Sequence, residues 1–388
     1  MKQRNFNLGI KEPFWPRKIK IIKELFFGIF LMLFSTLILI TSLEIYFRWY
    51  WQSPVGNSQT VMDLPIYQSS NYRAWDQLPG AEVKNIKINR IGLRNSEIDP
   101  HTKKHRYLML GDSFVFGMGV NEDQTISAQL QKMLGKKSHE VINAGVIGHT
   151  IDDTYLYLKN EGIKLNPEFV VYNFFVGNDV TELRRHQWIL NSEQKLEKIV
   201  DTELEVDANH YLRPILKTEK PRSYLGFWLK QKYEIYQKMH GKIIVDAAYT
   251  LTWPIFLSDS HPAQDPKLPE YWTRFTQVLR EMKEYCDQHN LKLIVNIIPM
   301  DTQVSRNYWK KYPGTPFGEE EFAAQRPQKY FKKIAEHLKI PVIDPLFALQ
   351  EADRKKSATY FPNDTHFSPF GHRITAAQIF QFLIDNYY

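Results

Sequence analysis

The longest stretch of the chain without a charge is LFFGIFLMLFSTLILITSL, residues 25–43, nineteen residues that also lack proline. Coiled as a helix it crosses a hydrocarbon core of about 30 Å. A soluble core helix of that length would carry a polar face, so the run predicts a transmembrane helix. A second pattern begins at Arg106. RYLML (106–110) reads as a strand. DQTISAQLQKMLG (123–135) reads as a helix with Ile126, Leu130 and Met133 on one face and Gly135 as its stop. EVINAG (140–145) is a second strand, IDDTYLYLKNEG (151–162) a helix closed by Gly162, and PEFVVYNFFVGND (167–179) a third strand. That third strand is apolar on both faces, as a central parallel strand must be.

The alternation stops at residue 181, and residues 181–265 are charged, aromatic and irregular, with one amphipathic helix expected over 225–240. It resumes with a helix at 271–289, the strand KLIVNIIP (292–299), a helix at 327–338, the strand IPVID (340–344) and a closing helix in SPFGHRITAAQIFQFLIDNYY (368–388). Strands alternating with helices predict an α/β domain with a parallel sheet between two helical layers. The expected organisation is a basic tail (1–24), a membrane helix (25–43), a tether and approach segment (44–103), and an α/β domain (104–388). That last α/β domain carries 181–265 as an inserted cap, or as a surface elaboration with no role.

Charge then orients the apolar helix. Lys2, Arg4, Lys11, Arg17, Lys18, Lys20 and Lys23 precede it against Glu12 and Glu24, which accounts for +5 of the chain's formal +7. The remainder is nearly neutral, so nucleic acid is not an expected partner. Only Arg48 follows within the next two dozen residues. Positive-inside logic puts the N-terminus in the cytoplasm and everything after Glu44 in the periplasm or outside the cell. Leu43, Glu44, Ile45 and Tyr46 are all large, so no signal-peptidase site is evident and an uncleaved, single-pass anchor in the cytoplasmic membrane is expected. Phe47, Trp49, Tyr50 and Trp51 read as an interfacial aromatic belt. The single cysteine, Cys286, excludes an internal disulfide and any zinc site built on paired thiolates.

Candidate chemistry collects where strands run out, the edge at which ligands bind in open parallel sheets. The first strand ends in Asp112 and Ser113, the second in Asn143, Gly145 and then Gly148, and the third in Gly177, Asn178 and Asp179. Asp364 and His366 precede the closing helix. Taken singly, Asp112 and Ser113 could be a helix cap, Asn143 and Gly148 turn residues, Asn178 and Asp179 another cap. Together they supply a nucleophile, a base, a carboxylate and amide donors. Gly117 and Gly119 do not complete a dinucleotide fingerprint, because Glu122 stands where the third glycine belongs. Ser113 sits in Gly-Asp-Ser-Phe-Val, not in a G-x-S-x-G elbow.

The four blocks GDSF (111–114), NAGVIG (143–148), GND (177–179) and DTH (364–366) resemble the SGNH (GDSL) hydrolase superfamily over roughly residues 86–388. The resemblance implies a three-layer α/β/α, flavodoxin-like fold and a serine hydrolase without a metal or other cofactor. It implies Ser113 as nucleophile, His366 as base, Asp364 as the acid that orients it, and Ser113 N–H, Gly148 N–H and the Asn178 amide as oxyanion donors, with Asp112, Asp179 and Asn143 in support. Many members place the acid three residues before the histidine, where this chain has Asn363. The Asp-x-His spacing is similar to a branch that includes exopolysaccharide O-acetyltransferases. The expected activity is therefore an extracytoplasmic serine esterase acting on an acylated, typically acetylated, envelope glycan or related small ester. The alternatives are an O-acetyltransferase working beside a membrane acyl-donor protein, and a non-catalytic envelope scaffold. Trp188, Tyr211, Tyr224, Trp228 and Trp253 of the insertion could stack on sugar rings or pack the insertion's own small core.

Overall fold

The computed structural model describes residues 14–52, 64–99, 104–214, 265–311, 325–355, 357–362 and 364–388, with 223–226, 228–229, 233 and 253–256. The chain forms two compact units, Met1–Gln59 with Thr218–Ile235, and Thr60–Lys217 with Tyr236–Tyr388.

In the first unit, helix α1 (Phe14–Gln52) extends the predicted apolar run at both ends. Its most apolar stretch is Ile22–Arg48, long and apolar enough to cross a membrane. The large apolar side chains there are exposed almost all round. Ser35 and Thr36 donate to the carbonyl of Met32 at 3.0 and 2.7 Å, and Thr41 to Leu37 at 2.8 Å, so these hydroxyls are satisfied within the helix. Phe47, expected in an aromatic belt, is buried and stacks on Trp228 with ring centroids 4.7 Å apart. Tyr224 is also buried, with the Arg48 guanidinium 5.1 Å from its ring. Tyr224 and Trp228 thus pack against the end of α1. The side chains of Trp49, Tyr50, Trp51 and Trp253, Asn363, and most of the helix expected over 225–240 lie outside the described residues.

The second unit begins with two hairpins, β1 (Tyr67–Ser69) with β2 (Trp75–Gln77) and β3 (Glu82–Val83) with β4 (Ile86–Lys87). Strands of two or three residues are too short to print a period-2 pattern, which is why this segment read as a tether. They bury Tyr67, Trp75, Ile86 and Ile88 against Phe116, Val146 and Ile147 in a small core of their own. Then follow β5 (His105–Gly111), α2 (Ser113–Phe116), α3 (Ile126–Leu134), β6 (His139–Gly145), α4 (Ile151–Asn160) and β7 (Phe169–Phe175). Helix α3 starts three residues later than its apolar pattern suggested, because Thr125 is extended and caps it, its Oγ1 accepting from Ala128 N at 3.2 Å.

The start of the insertion lies among the described residues. It forms antiparallel hairpins β8 (His186–Leu190) with β9 (Leu196–Asp201) and β10 (Leu204–Val206) with β11 (Leu212–Pro214). Trp188 is half-buried there, donating its indole N–H to Asp152 at 2.8 Å under the Arg274 guanidinium, 4.4 Å from the ring. These contacts tie Trp188 to Asp152 and Arg274 of the α/β domain. Tyr211 closes the β10–β11 turn through its backbone, donating to the Asp207 carboxylate at 3.0 Å. Past the insertion come α5 (Leu268–Gln288), β12 (Lys292–Ile298), α6 (Asp301–Val304), α7 (Arg326–His337), β13 (Val342–Ile343), α8 (Leu346–Arg354) and α9 (Pro369–Tyr387). Helix α8 had no counterpart in the sequence reading.

Five strands form one parallel sheet in the order β13–β12–β7–β5–β6, with flanking helices. Helix α3 packs with α9 and β6, and α4 with α5. All seven residues of β7 are buried, Asn173 included, as a central strand covered on both faces requires. A polar ladder crosses the sheet centre: Asn296 Nδ2 donates to Asn173 Oδ1 at 2.9 Å, and Asn173 Nδ2 to the Leu110 carbonyl at 3.0 Å. Register aligns the strand ends, with Gly111 opposite Gly145 and Leu110 opposite Tyr172, so the loops after β5, β6 and β7 open on one edge.

Candidate active site

Ser113 is the first residue of α2, set directly on the end of β5. Asp112 holds that turn, its carboxylate accepting from Phe114 N at 2.9 Å. The carboxyl is buried, and burial pushes it up to about 6 against the opposing pull of the Phe114 N–H and the His366 charge. Helix α2 can sit this low because β6 ends in glycine. A Cβ at Gly145 would collide with the Phe116 amide nitrogen and with Val115.

His366 lies across from Ser113, its Nε2 2.8 Å from Ser113 Oγ. Asp364 Oδ1 is 2.6 Å from the other ring nitrogen, Nδ1, and also accepts from the His366 backbone N–H at 3.1 Å. A carboxylate accepts and does not donate, so Nδ1 carries the proton and Nε2 is left to accept from the serine hydroxyl. Burial raises the Asp364 carboxyl, but the hydrogen bonds and charge of His366 outweigh it and leave the group below its ordinary value. The Phe114 ring, 5.0 Å from the imidazole between centroids, backs His366. The imidazole is 16% exposed and the carboxylate 38%, so the chain Ser113–His366–Asp364 runs from the interior towards solvent.

Two loops bring amide groups to the same sheet edge. Val146–His149 is a turn closed by His149 N donating to the Val146 carbonyl at 3.2 Å, with Gly148 at φ +77° in its third position. That conformation favours glycine. After β7, Asn178 begins a turn in which its own carbonyl accepts from Glu182 N at 2.9 Å. Among the described residues, no protein group accepts from Ser113 N–H, Gly148 N–H or the Asn178 side-chain amide. Asp179 faces inward, accepting from Tyr172 Oη at 2.7 Å and Phe175 N at 3.0 Å. Burial and the nearby Asp112 charge push its carboxyl well above the usual range. Asp112 and Asp179 are therefore struts of their turns. Asn143 shapes the end of β6, its Oδ1 accepting from Gly145 N at 3.1 Å while its own backbone N–H donates to Asn95 Oδ1 at 3.1 Å.

A second cluster, which the sequence reading did not single out, stands behind the Gly148 turn. Arg185 donates from Nη2 to the Gly148 carbonyl at 3.0 Å and lies 3.3 Å from Glu182 and 3.7 Å from Asp201. Next to it, His186 Nδ1 lies 2.9 Å from both Asp152 oxygens. Burial alone would lower the His186 imidazole, but the charges of Asp152 and Asp153 and the hydrogen bonds to Asp152 and Asp201 push it up to about 10. Burial opposes the ionised Asp152, yet His186, Thr150 and Trp188 bring its carboxyl down to about 2. Ligand atoms of Asp152, Asp153 and His186 lie within 4.8 Å of one another, close enough for a cation. Asp152, however, already accepts from Thr150 Oγ1, Asp153 N, His186 Nδ1 and Trp188 Nε1, which fills its lone-pair sites. The visible signal in the sequence was a pair of acids in the first turn after Gly148 and an Arg-His pair soon after Asn178.

A serine hydroxyl on an acid-oriented histidine, at the edge of a parallel α/β sheet, is the site of an acyl-transferring serine hydrolase. Residues 109–374 match the GDSL-like lipase/acylhydrolase family, and the chain belongs to that family. No curated protein matches the chain. Among solved structures it is similar to the acetyl xylan esterase AlAXEase, at 14% identity over 72% of this chain and 99% of that one, TM-score 0.39. It is also similar to the lipase/acylhydrolase from Enterococcus faecalis, at 14% identity over 72% and 95%, TM-score 0.37. A G-D-S-L family lipolytic protein from Veillonella parvula DSM 2008 is similar at 12% identity over 73% and 98%, TM-score 0.36. Family membership rests on the family match.

Proposed function

We propose that this serine hydrolase is a membrane-anchored, extracytoplasmic esterase that removes acyl groups, acetyl first among them, from envelope glycans or related esters. The observation that carries the reading is the unbroken chain from Ser113 Oγ through His366 to Asp364. His366 Nε2 takes the hydroxyl proton as Oγ forms its bond to the acyl carbon. Asp364 holds the ring in the required tautomer and stabilises the imidazolium. The carbonyl oxygen takes up negative charge towards Ser113 N–H, Gly148 N–H and the Asn178 amide, three donors with no competing protein acceptor. The imidazolium then protonates the departing alkoxide as the ester C–O bond breaks. Water repeats the sequence on the acyl-enzyme: His366 accepts its proton, the acyl–Oγ bond breaks, and Ser113 recovers its hydrogen. Support for anchoring comes from the apolar length of α1 and from the basic tail before it.

The test is turnover of an aryl acetate by the full chain in detergent, with and without a soluble oligosaccharide. Release of acetate that the sugar does not accelerate fits the esterase. Acetylation of the sugar at the expense of acetate release would replace this reading with an acyltransferase. No turnover by the folded chain would favour a scaffold.

A further inference from the structure

Glu44 is the only charged residue between Leu25 and Phe47 of α1. Its carboxylate accepts hydrogen bonds from Ser223 Oγ at 2.9 Å, Tyr224 N at 2.9 Å and Leu225 N at 3.0 Å. The two backbone donors belong to the start of a helical turn, where N–H groups have no partner of their own and the local dipole favours an anion. One turn further along α1, Phe47 stacks on Trp228, and Arg48 pairs with Glu44 at 3.4 Å while lying over Tyr224. A piece of the insertion, remote in sequence, is thus bound to the C-terminal end of the apolar helix and shares a compact unit with it. Apolar and aromatic side chains at this joint are exposed: Ile45 63%, Tyr46 50%, Leu229 53% and Tyr233 60%.

We infer that residues 223–226, Trp228, Leu229 and Tyr233, with the end of α1, form a lipid-binding surface at headgroup level, a second membrane contact supplied by the insertion. The inference rests on the anchoring part of the proposed function and not on the chemistry at Ser113. Continuity carries it. If Ile22–Arg48 lies in the bilayer, a segment hydrogen-bonded to Glu44 lies at its edge, with Leu229 and Tyr233 facing the same surroundings as Ile45 and Tyr46. The residue types suit that depth, since Tyr, Trp and Arg settle at the interface. A carboxylate at the rim of the hydrocarbon is costly unless donors surround it, and here three do. The chain passes between its two units after residues 59, 217 and 235.

The experiment uses the full chain in vesicles of phosphatidylethanolamine and phosphatidylglycerol, with an NBD fluorophore on one introduced cysteine. Cys286 does not compete for the label, because burial pushes its thiol up to about 12. The sites are Leu229→Cys, Leu33→Cys within the apolar span and Glu193→Cys at an exposed hairpin tip. Quenching by lipid carrying a doxyl group near its headgroup should be several-fold stronger at Leu229 than at Glu193. If Leu229 behaves like Glu193 while Leu33 is quenched, the anchor stands and the surface is refuted. Shielding of Leu229 from aqueous iodide without lipid quenching would mean a protein contact and refute it too. If Leu33 itself escapes lipid quenching, the anchoring reading fails and takes the surface with it.

Discussion

The guanidinium of Arg185 donates to the carbonyl of Gly148 at 3.0 Å, linking the segment that follows Asn178 to the turn that carries the Gly148 N–H. Two loops from different strands are thereby fixed to one another behind the proposed oxyanion position. A donor aimed at a developing charge is effective only if it is held in place beforehand. Arg185→Lys keeps a charge but loses the planar fork. It is expected to lower kcat by roughly tenfold, about 1.4 kcal/mol of barrier, while KM stays within about twofold. Steady-state kinetics on an aryl acetate checks this; an unchanged kcat would mean that the contact is only structural. Arg185→Ala is expected to destabilise the fold as well, by about 3–5 kcal/mol, because Glu182 and Asp201 lose their buried partner.

The identity of the acid is open to direct comparison. Asp364 is the carboxylate on His366 Nδ1, and an amide there would let the ring flip to the wrong tautomer. Asp364→Asn is expected to cut kcat/KM by about 10²–10⁴-fold. Asn363→Ala is expected to leave it within about threefold. The reverse ranking would move the role to position 363.

The close seat of α2 on β6 makes Gly145 a structural determinant of the nucleophile's position. Gly145→Ala is expected to cost about 1–3 kcal/mol through overpacking and to reduce acylation of Ser113, since the added Cβ strikes the Phe116 amide. Thermal unfolding alongside the acylation rate separates the two effects.

The parallel core of the fold was legible because β5, β7 and β12 are seven-residue strands built on apolar runs, 107–110, 169–172 and 293–295, and turn residues follow them. The hairpins at 67–87 and the two-residue β13 were not, since such short strands carry no period. The insertion read as irregular because Glu197, Lys198 and Asp201 interrupt β9 with charge, although Leu196 and Ile199 point inward. Ser113, Asp364 and His366 could be found at strand and loop ends. Arg185, His186 and Asp152 did not stand out, because the partners that join them lie 34 or 37 residues away in the chain.

That buried network predicts a pH signature. The folded His186 imidazole holds its proton up to about 10, above an ordinary value of 6.5. Between those values the native state binds more protons than the unfolded one, so stability falls as pH rises. The contribution is fully present below 6.5 and lost as pH passes through about 10. A melting temperature that declines from pH 7 to pH 10 in the wild type, with a shallower decline in His186→Gln, is expected. Parallel profiles would show that His186 is neutral in the fold.

The most direct measurement is intact-mass and peptide mapping of the full chain after exposure to a fluorophosphonate. The account predicts one covalent adduct, on Ser113, formed by the wild type and absent from Ser113→Ala and His366→Ala of unchanged fold. An adduct that persists in Ser113→Ala, or none on a folded wild type, would contradict it.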